Sequence, residues 1–345
     1  MKAISIDRDI RIMEICGTHT SSIMKSGIKG VLPSNVKLVT GPGCPVCVTP
    51  QGYIDGAIEL SKRTEVIITT FGDMINVPGT YSSLKLQKAL GNDIRVIYSP
   101  LQALKIALDN PSKEIVFLGI GFETTAPVTA LAIHKASIQK TKNFSVFCTL
   151  KTMPGIIKHL VNSEDLRLDG ILCPGHVSTI IGERSFKFIP EQLKIPAVIA
   201  GFEEKDVVSA IFLLIDMITK KENKLENIYK RFVQYDGNNK AKEIIRTVFK
   251  SCSANWRGLG NIENSGLKIR NEYESFDAEK KFNIKVEEKY LSKGCLCESI
   301  LRGNKTPEDC SFFGKQCTPS TPIGVCMVSR EGSCGIHYKY HEFRL

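Results

Sequence analysis

The 345-residue chain has no run approaching the roughly 18 apolar residues that a membrane span requires. Its most apolar window, Val207–Ile218, contains Asp216 and runs into Lys220 and Lys221, which is the pattern of a packed helix. The stretch Met1–Arg11 alternates charge with isoleucine and has no apolar h-region, so no signal peptide is expected and the reading is cytoplasmic. Nucleotide fingerprints are missing too. There is no G-x-x-x-x-G-K-[ST], and Gly119–Ile120–Gly121 lacks the third glycine of a dinucleotide loop. The formal charge of +10 comes from dispersed lysines, without a basic helix stripe or interleaved aromatics. It reads as a solvated surface or a face for an acidic protein, not as a nucleic-acid site.

Cysteine, by contrast, is abundant: the chain has twelve. Without an export signal, clustered thiols more often bind metal or do redox work than staple a fold. Cys16, Cys44 and Cys47 come early. Cys148, Cys173 and Cys252 are scattered and read as packing residues. Six more fall between Cys295 and Cys334.

The first two thirds repeat a short β-branched apolar run, a Gly/Pro turn and a helical pattern. The runs are Val36–Thr40, Glu65–Thr70, Ile94–Tyr98, Glu114–Gly119, Phe144–Leu150, Leu168–Cys173 and Pro196–Ala200. Apolar on both faces and separated by helices, they read as parallel strands of an α/β fold. The turn Asp109–Ser112 divides them into two tandem parallel-sheet domains, 1–110 and 111–220. Residues 221–345 form a helical and loop-rich C-terminal domain.

Chemically loaded residues follow the strands, where open parallel sheets bind ligands. The loops are Gly41–Cys47, Phe71–Met74, Gly121–Thr125, Pro174–Ser178 and Gly201–Glu203. Asp73, Glu123, Thr124 and His176 are therefore candidates to line a cleft. Glu123 and Thr124 equally suit a helix cap, and His176 a turn histidine.

In the tail, Cys295, Cys297, Cys310, Cys317, Cys326 and Cys334 are interleaved with glycine and with Pro307, Pro319 and Pro322. Converging thiolates suit an iron–sulfur cluster or zinc. Zinc knuckles come as paired C-x2-4-C, and no second pair accompanies Cys295–Leu296–Cys297, so iron–sulfur is the stronger reading. The spacing does not single out four ligands among the six. Cys44–Pro45–Val46–Cys47 suits disulfide exchange or half a metal site, and its flanking prolines predict an exposed turn before a helix starting at Pro50–Gln51. Cys16 and His19, three apart at a helix entry, suit metal ligation or a Cys–His ion pair. Trp256 and Arg257 read as a packing anchor between domains.

In this order, the segments Cys16–Thr20, Gly41–Cys47, Thr70–Asp73 with Val77–Gly79, Gly121–Pro127, Pro174–Ser178, Trp256–Gly260 and Gly294–Gly335 resemble the HypD family of hydrogenase maturation proteins. The resemblance implies an iron-handling scaffold on which the Fe(CN)2CO unit of [NiFe] hydrogenase is assembled, rather than a stand-alone enzyme. It implies two α/β domains plus a C-terminal domain bearing a [4Fe–4S] cluster. The implied partners are a small HypC-type chaperone and a HypE-type cyanide donor, with no nucleic acid and no membrane. The family's cluster spacing lands on Cys295, Cys310, Cys317 and Cys334. By the same resemblance Cys16 is the ligand of the transferred iron, with His19 close by. Cys44 and Cys47 are the exchangeable dithiol, and Cys297 and Cys326 a redox-active pair beside the cluster. Glu204 and Glu263 depart from the family pattern where proline is expected, away from any thiol. The rival reading is a free-standing iron–sulfur thiol–disulfide oxidoreductase, which needs Cys44 and Cys47 but not the Cys16/His19 loop.

Overall fold

The computed structural model describes residues 8–163, 166–284, 286 and 294–341. Two parallel sheets form its frame. The first has the order β2-β1-β7-β8-β9, built from β1 (Ile10–Glu14), β2 (Val36–Thr40), β7 (Gly170–Cys173), β8 (Ala197–Ile199) and β9 (Leu225–Asn227). The second has the order β4-β3-β5-β6, from β3 (Val66–Thr70), β4 (Ile94–Val96), β5 (Glu114–Gly119) and β6 (Phe144–Cys148). All seven apolar runs are strands, and helices cover them, as continuous apolar character predicts. β3 is buried at every position, the mark of an interior parallel strand.

The sheets cut across the boundary expected at residue 110. Asp109–Ser112 lies between β4 and β5, which belong to one sheet, while the first sheet joins residues 10–40 to 170–227. β1, next to the edge strand of its sheet, pairs with β2 on one side and with the distant β7 on the other. The chain leaves the first sheet after β2, builds the whole second sheet, and then returns.

Beyond residue 221, sequence patterning predicts helix and loop. The helix Asn239–Val248 is present, but the long antiparallel hairpin of β10 (Phe249–Trp256) and β11 (Gly260–Ile269) follows it. Along β10 the exposed Ser251, Ser253 and Asn255 alternate with the less exposed Lys250, Cys252, Ala254 and Trp256. One-sided strands of this kind carry a weaker apolar signal than parallel ones. Among the described residues no helix is long and apolar enough to cross a membrane.

One apolar core joins both sheets to the tail. It runs from Met13 and Ile15 through Val46–Val48 to Trp256, Ile300 and Val325–Met327. The helix α2 (Gln51–Ser61) is keyed to the second sheet by Tyr53, whose ring stacks on Phe147 at 4.2 Å and whose hydroxyl donates to the Phe147 carbonyl at 2.7 Å. Tyr53→Phe keeps the stacking but leaves that buried carbonyl without this donor. We expect a loss of about 1–3 kcal/mol, read as a lower urea midpoint at unchanged slope.

Candidate functional site

Cys16 stands where β1 passes into the helix α1 (Gly17–Ser26). Its own backbone is extended, and its thiol faces the backbone N–H groups of Thr18 and His19 at the helix start, which favour its charged form. A helix N-terminus favours a thiolate. Burial outweighs it here: together with the nearby Glu331 carboxylate, it pushes the thiol up to about 12.

Beneath Cys16 lies Glu14, the last residue of β1. Its carboxyl group is buried, accepts the Cys16 N–H at 3.0 Å and is bonded by the Thr20 hydroxyl. Burial pushes it up to about 8. Two glycines bring other segments onto Cys16. A Cβ at Gly43 would collide with the Cys16 backbone, and one at Gly17 with Glu331. Asp73, at the end of β3, accepts from the Ser329 hydroxyl at 3.0 Å and the Arg330 N–H at 3.3 Å, tying the tail to the second sheet.

His19 does not form an ion pair with Cys16. Its imidazole is fully buried, with Nε2 bonded to the Gly201 carbonyl at 3.0 Å. As Nε2 must donate there, Nδ1 carries the lone pair, and it is buried without a partner. Burial lowers the ring to about 4, so it is neutral at physiological pH. Phe202 packs between His19 (4.8 Å) and His176 (3.9 Å), joining the Pro174–Ser178 and Gly201–Glu203 loops.

Glu123 and Thr124 play a different part. Glu123 accepts the Met153 N–H at 2.8 Å, so it caps the helix Met153–Val161 and not the helix Ala126–Ile138 that follows it. Burial pushes it up to about 7, and its second oxygen is shielded without a partner. Thr124 is exposed.

The dithiol turn corrects the expectation of exposure: Cys44 is 3% and Cys47 0% exposed. Pro50 does precede α2, but burial pushes the Cys47 thiol well above its ordinary value, and the helix start does not offset it. The Cys47 N–H donates to the Cys44 sulfur at 3.2 Å. The Cys47 thiol is in hydrogen-bonding reach of Cys326 as well as Cys44. Cys326 in turn reaches Cys297 and Cys334, and these two reach each other. Sulfur thus follows sulfur from the turn into the tail.

Around this chain the tail folds as a cradle. A Cβ at Gly324 would press on the sulfurs of Cys297 and Cys295, and the Cys317 sulfur accepts the Ile323 N–H at 3.4 Å. Cys310 is buried at the end of the turn Pro307–Asp309, and its carbonyl accepts the Phe313 N–H at 3.0 Å. Among the described residues no group of three or more His, Cys, Asp or Glu side chains is placed to hold a single metal ion. Trp256 is the anchor expected, with Nε1 bonded to Ser265 at 2.8 Å and its ring stacked over Phe122 at 6.0 Å. Cys173 is a buried packing residue, whereas Cys148 and Cys252 line a separate cavity of about 330 Å³ at the end of β6.

Fold and site together define a parallel α/β protein with a cysteine centre where its sheets meet its tail. The family described as "Hydrogenase formation hypA family", with the short name HypD, matches residues 1–341, and the chain belongs to it. A hydrogenase maturation factor HypD2 of Bradyrhizobium diazoefficiens is 44% identical, over 99% of this chain and 93% of its own length. A hydrogenase expression/formation protein HupD of Azotobacter chroococcum is 46% identical over 98% and 91%. A hydrogenase maturation factor HypD of Escherichia coli is 41% identical over 97% and 90%.

Glu14 provides a pH test. A carboxyl group raised from 4.5 to about 8 stabilises the fold fully below pH 4.5, and that contribution is lost as pH rises through 8. Wild-type stability should therefore fall across this window by up to roughly 1.4 kcal/mol per pH unit. Glu14→Gln should flatten the slope, measured by urea midpoints at each pH. Equal slopes in the two proteins would contradict the buried, protonated assignment.

Proposed function

We propose that the protein is a cytoplasmic scaffold on which the Fe(CN)2CO unit of a [NiFe] hydrogenase is assembled, with a small HypC-type chaperone and a HypE-type cyanide donor as partners. The observation that carries this reading is the contact sequence from Cys16, through the Gly43 backbone, to the Cys44/Cys47 turn and on to Cys326 and the tail thiols. It sets a lone thiol, a dithiol and a multi-thiol centre in line.

Each member has a task. Cys16 offers the cargo iron one sulfur, leaving its remaining positions for a partner's thiolate, cyanide and carbon monoxide. Held near 12, its thiol keeps its proton until metal binds, so iron capture releases a proton there. Cys295, Cys310, Cys317 and Cys334 would hold a [4Fe–4S] cluster. Soft thiolate donors and the cradle at Gly324 fit that group. When bound, the cluster supplies electrons one at a time. Cys297 and Cys326 lie between the cluster ligands and Cys47, suited to pass reducing equivalents to the Cys44/Cys47 pair. The burial of Cys44 and Cys47 favours this scaffold over a general disulfide reductase, because a foreign disulfide must reach the attacking sulfur.

Two experiments test the reading. Anaerobically purified protein should contain about four irons with matching acid-labile sulfide. Cys317→Ala should lose both, and stoichiometric zinc without sulfide in the wild type would contradict the cluster. Mixed with a HypC-type chaperone and the maturation machinery, the wild type should show infrared bands of metal-bound cyanide and carbon monoxide. Cys16→Ala should lose those bands yet keep the cluster absorbance, and retention of both bands would remove Cys16 as the iron ligand.

A further inference from the structure

His337 is 3% exposed and lies on the helix Ser333–His341, three residues after Cys334. Residues three apart share a helix face, with Cβ atoms about 5–6 Å from each other. The Nδ1 of His337 is bonded to Glu308 Oε1 at 2.7 Å, and Glu308 stands two residues before Cys310. The imidazole therefore ties the segment of Cys334 to the segment of Cys310. The same helix packs on the turn that carries Cys326. A Cβ at Gly332 would collide with the Cys326 backbone, and one at Gly335 would press on the Ser329 and Met327 carbonyls.

Packing does not account for the other ring nitrogen. Nε2 is shielded from solvent and has no hydrogen-bond partner among the described residues. The same is true of Ser333 Oγ, one turn earlier on the helix. Two orphaned polar atoms thus bracket Cys334. A buried polar atom left without a partner costs about 1–3 kcal/mol, so a group that pairs with it is favoured at this place.

We propose that His337 donates its Nε2–H to a sulfur of the tail cluster and raises the reduction potential of that cluster. The proposal rests on the reading of Cys295, Cys310, Cys317 and Cys334 as cluster ligands. A carboxylate and the sulfurs of a cluster are acceptors, so both ring nitrogens donate and the ring is an imidazolium. Glu308 supplies its countercharge across the 2.7 Å ion pair. Reduction brings one electron from an external donor onto the cluster. No bond forms or breaks, and the proton stays on Nε2. The added electron makes the sulfurs better acceptors, so the hydrogen bond stabilises the reduced form more than the oxidised one.

The test uses the full chain, purified anaerobically with its cluster and titrated with dithionite through mediator dyes. His337→Phe keeps a ring but removes the donor. It should shift the one-electron equilibrium at least about tenfold towards the oxidised cluster, a midpoint lower by about 59 mV. His337→Gln returns a donor near the place of Nε2 and should recover roughly half of that shift or more. Combining His337→Phe with Glu308→Gln leaves no unpaired carboxylate, and the midpoint should still lie below that of the wild type. A return to the wild-type midpoint would assign the shift to charge alone and overturn the proposal. With 15N-labelled histidine, pulsed EPR of the reduced wild type should show a weak nitrogen coupling that His337→Gln lacks. This measurement decides the matter should His337→Phe not take up the cluster, because a wild type without that coupling overturns the proposal. A purely structural role predicts a lower melting temperature with an unmoved midpoint, and that result overturns it too. If the wild type holds no iron and no acid-labile sulfide, the cluster reading falls and this inference falls with it. If the cluster is present and the midpoint does not move, only the inference falls.

Discussion

The contact between Cys47 and Cys326 is the constraint on which the rest of the site depends. It joins residues far apart in sequence, one on the turn after β2 and one in the tail, and both are fully buried. For the two sulfurs to meet, the tail must pack against the strand ends and the Gly41–Cys47 loop must lie flat on Cys16. Gly17 and Gly43 permit that approach because they carry no Cβ, and Asp73 fastens the tail through Ser329 and Arg330. Each is a close-packing requirement rather than a flexible loop closing over a cleft.

Burial also sets the electrostatics. Glu14 and Glu123 are pushed up, His19 is pushed down, and the Cys16 and Cys47 thiols are pushed up, with loss of water the leading cause in every case. Neutral forms are therefore favoured around the sulfurs.

Much of the frame was legible in the sequence because parallel strands buried on both faces leave continuous β-branched runs, as in Val66–Thr70 and Glu114–Gly119. β1 escaped notice because Arg11 and Glu14 break its apolar run, although the strand is paired on both sides. The β10–β11 hairpin escaped because the solvent face of β10 is Ser and Asn. The division at residue 110 failed for a topological reason: nothing in a local pattern says that β7 will return to pair with β1. At the site, Cys44, Cys47, Asp73 and His176 were visible as residue types after strands, and Cys16 and His19 as a pair at a helix entry. Burial of the Cys44/Cys47 turn was not, since Pro42, Gly43 and Pro45 promise an exposed loop and only the packed tail covers it. Glu14 was not singled out in the sequence. A carboxylate inside an apolar strand two residues before a cysteine was the one clue available.

The central claim is that sulfur contact is continuous from the dithiol turn into the tail, and trapping tests it most directly. In Cys44→Ser protein, Cys47 has lost its neighbour in the turn but keeps Cys326. Mild oxidation with a small disulfide, followed by alkylation and peptide mapping, should recover Cys47 covalently joined to Cys326. Recovery of Cys47 only as a free thiol or a small-molecule adduct, with the tail cysteines linked solely among themselves, would contradict the account.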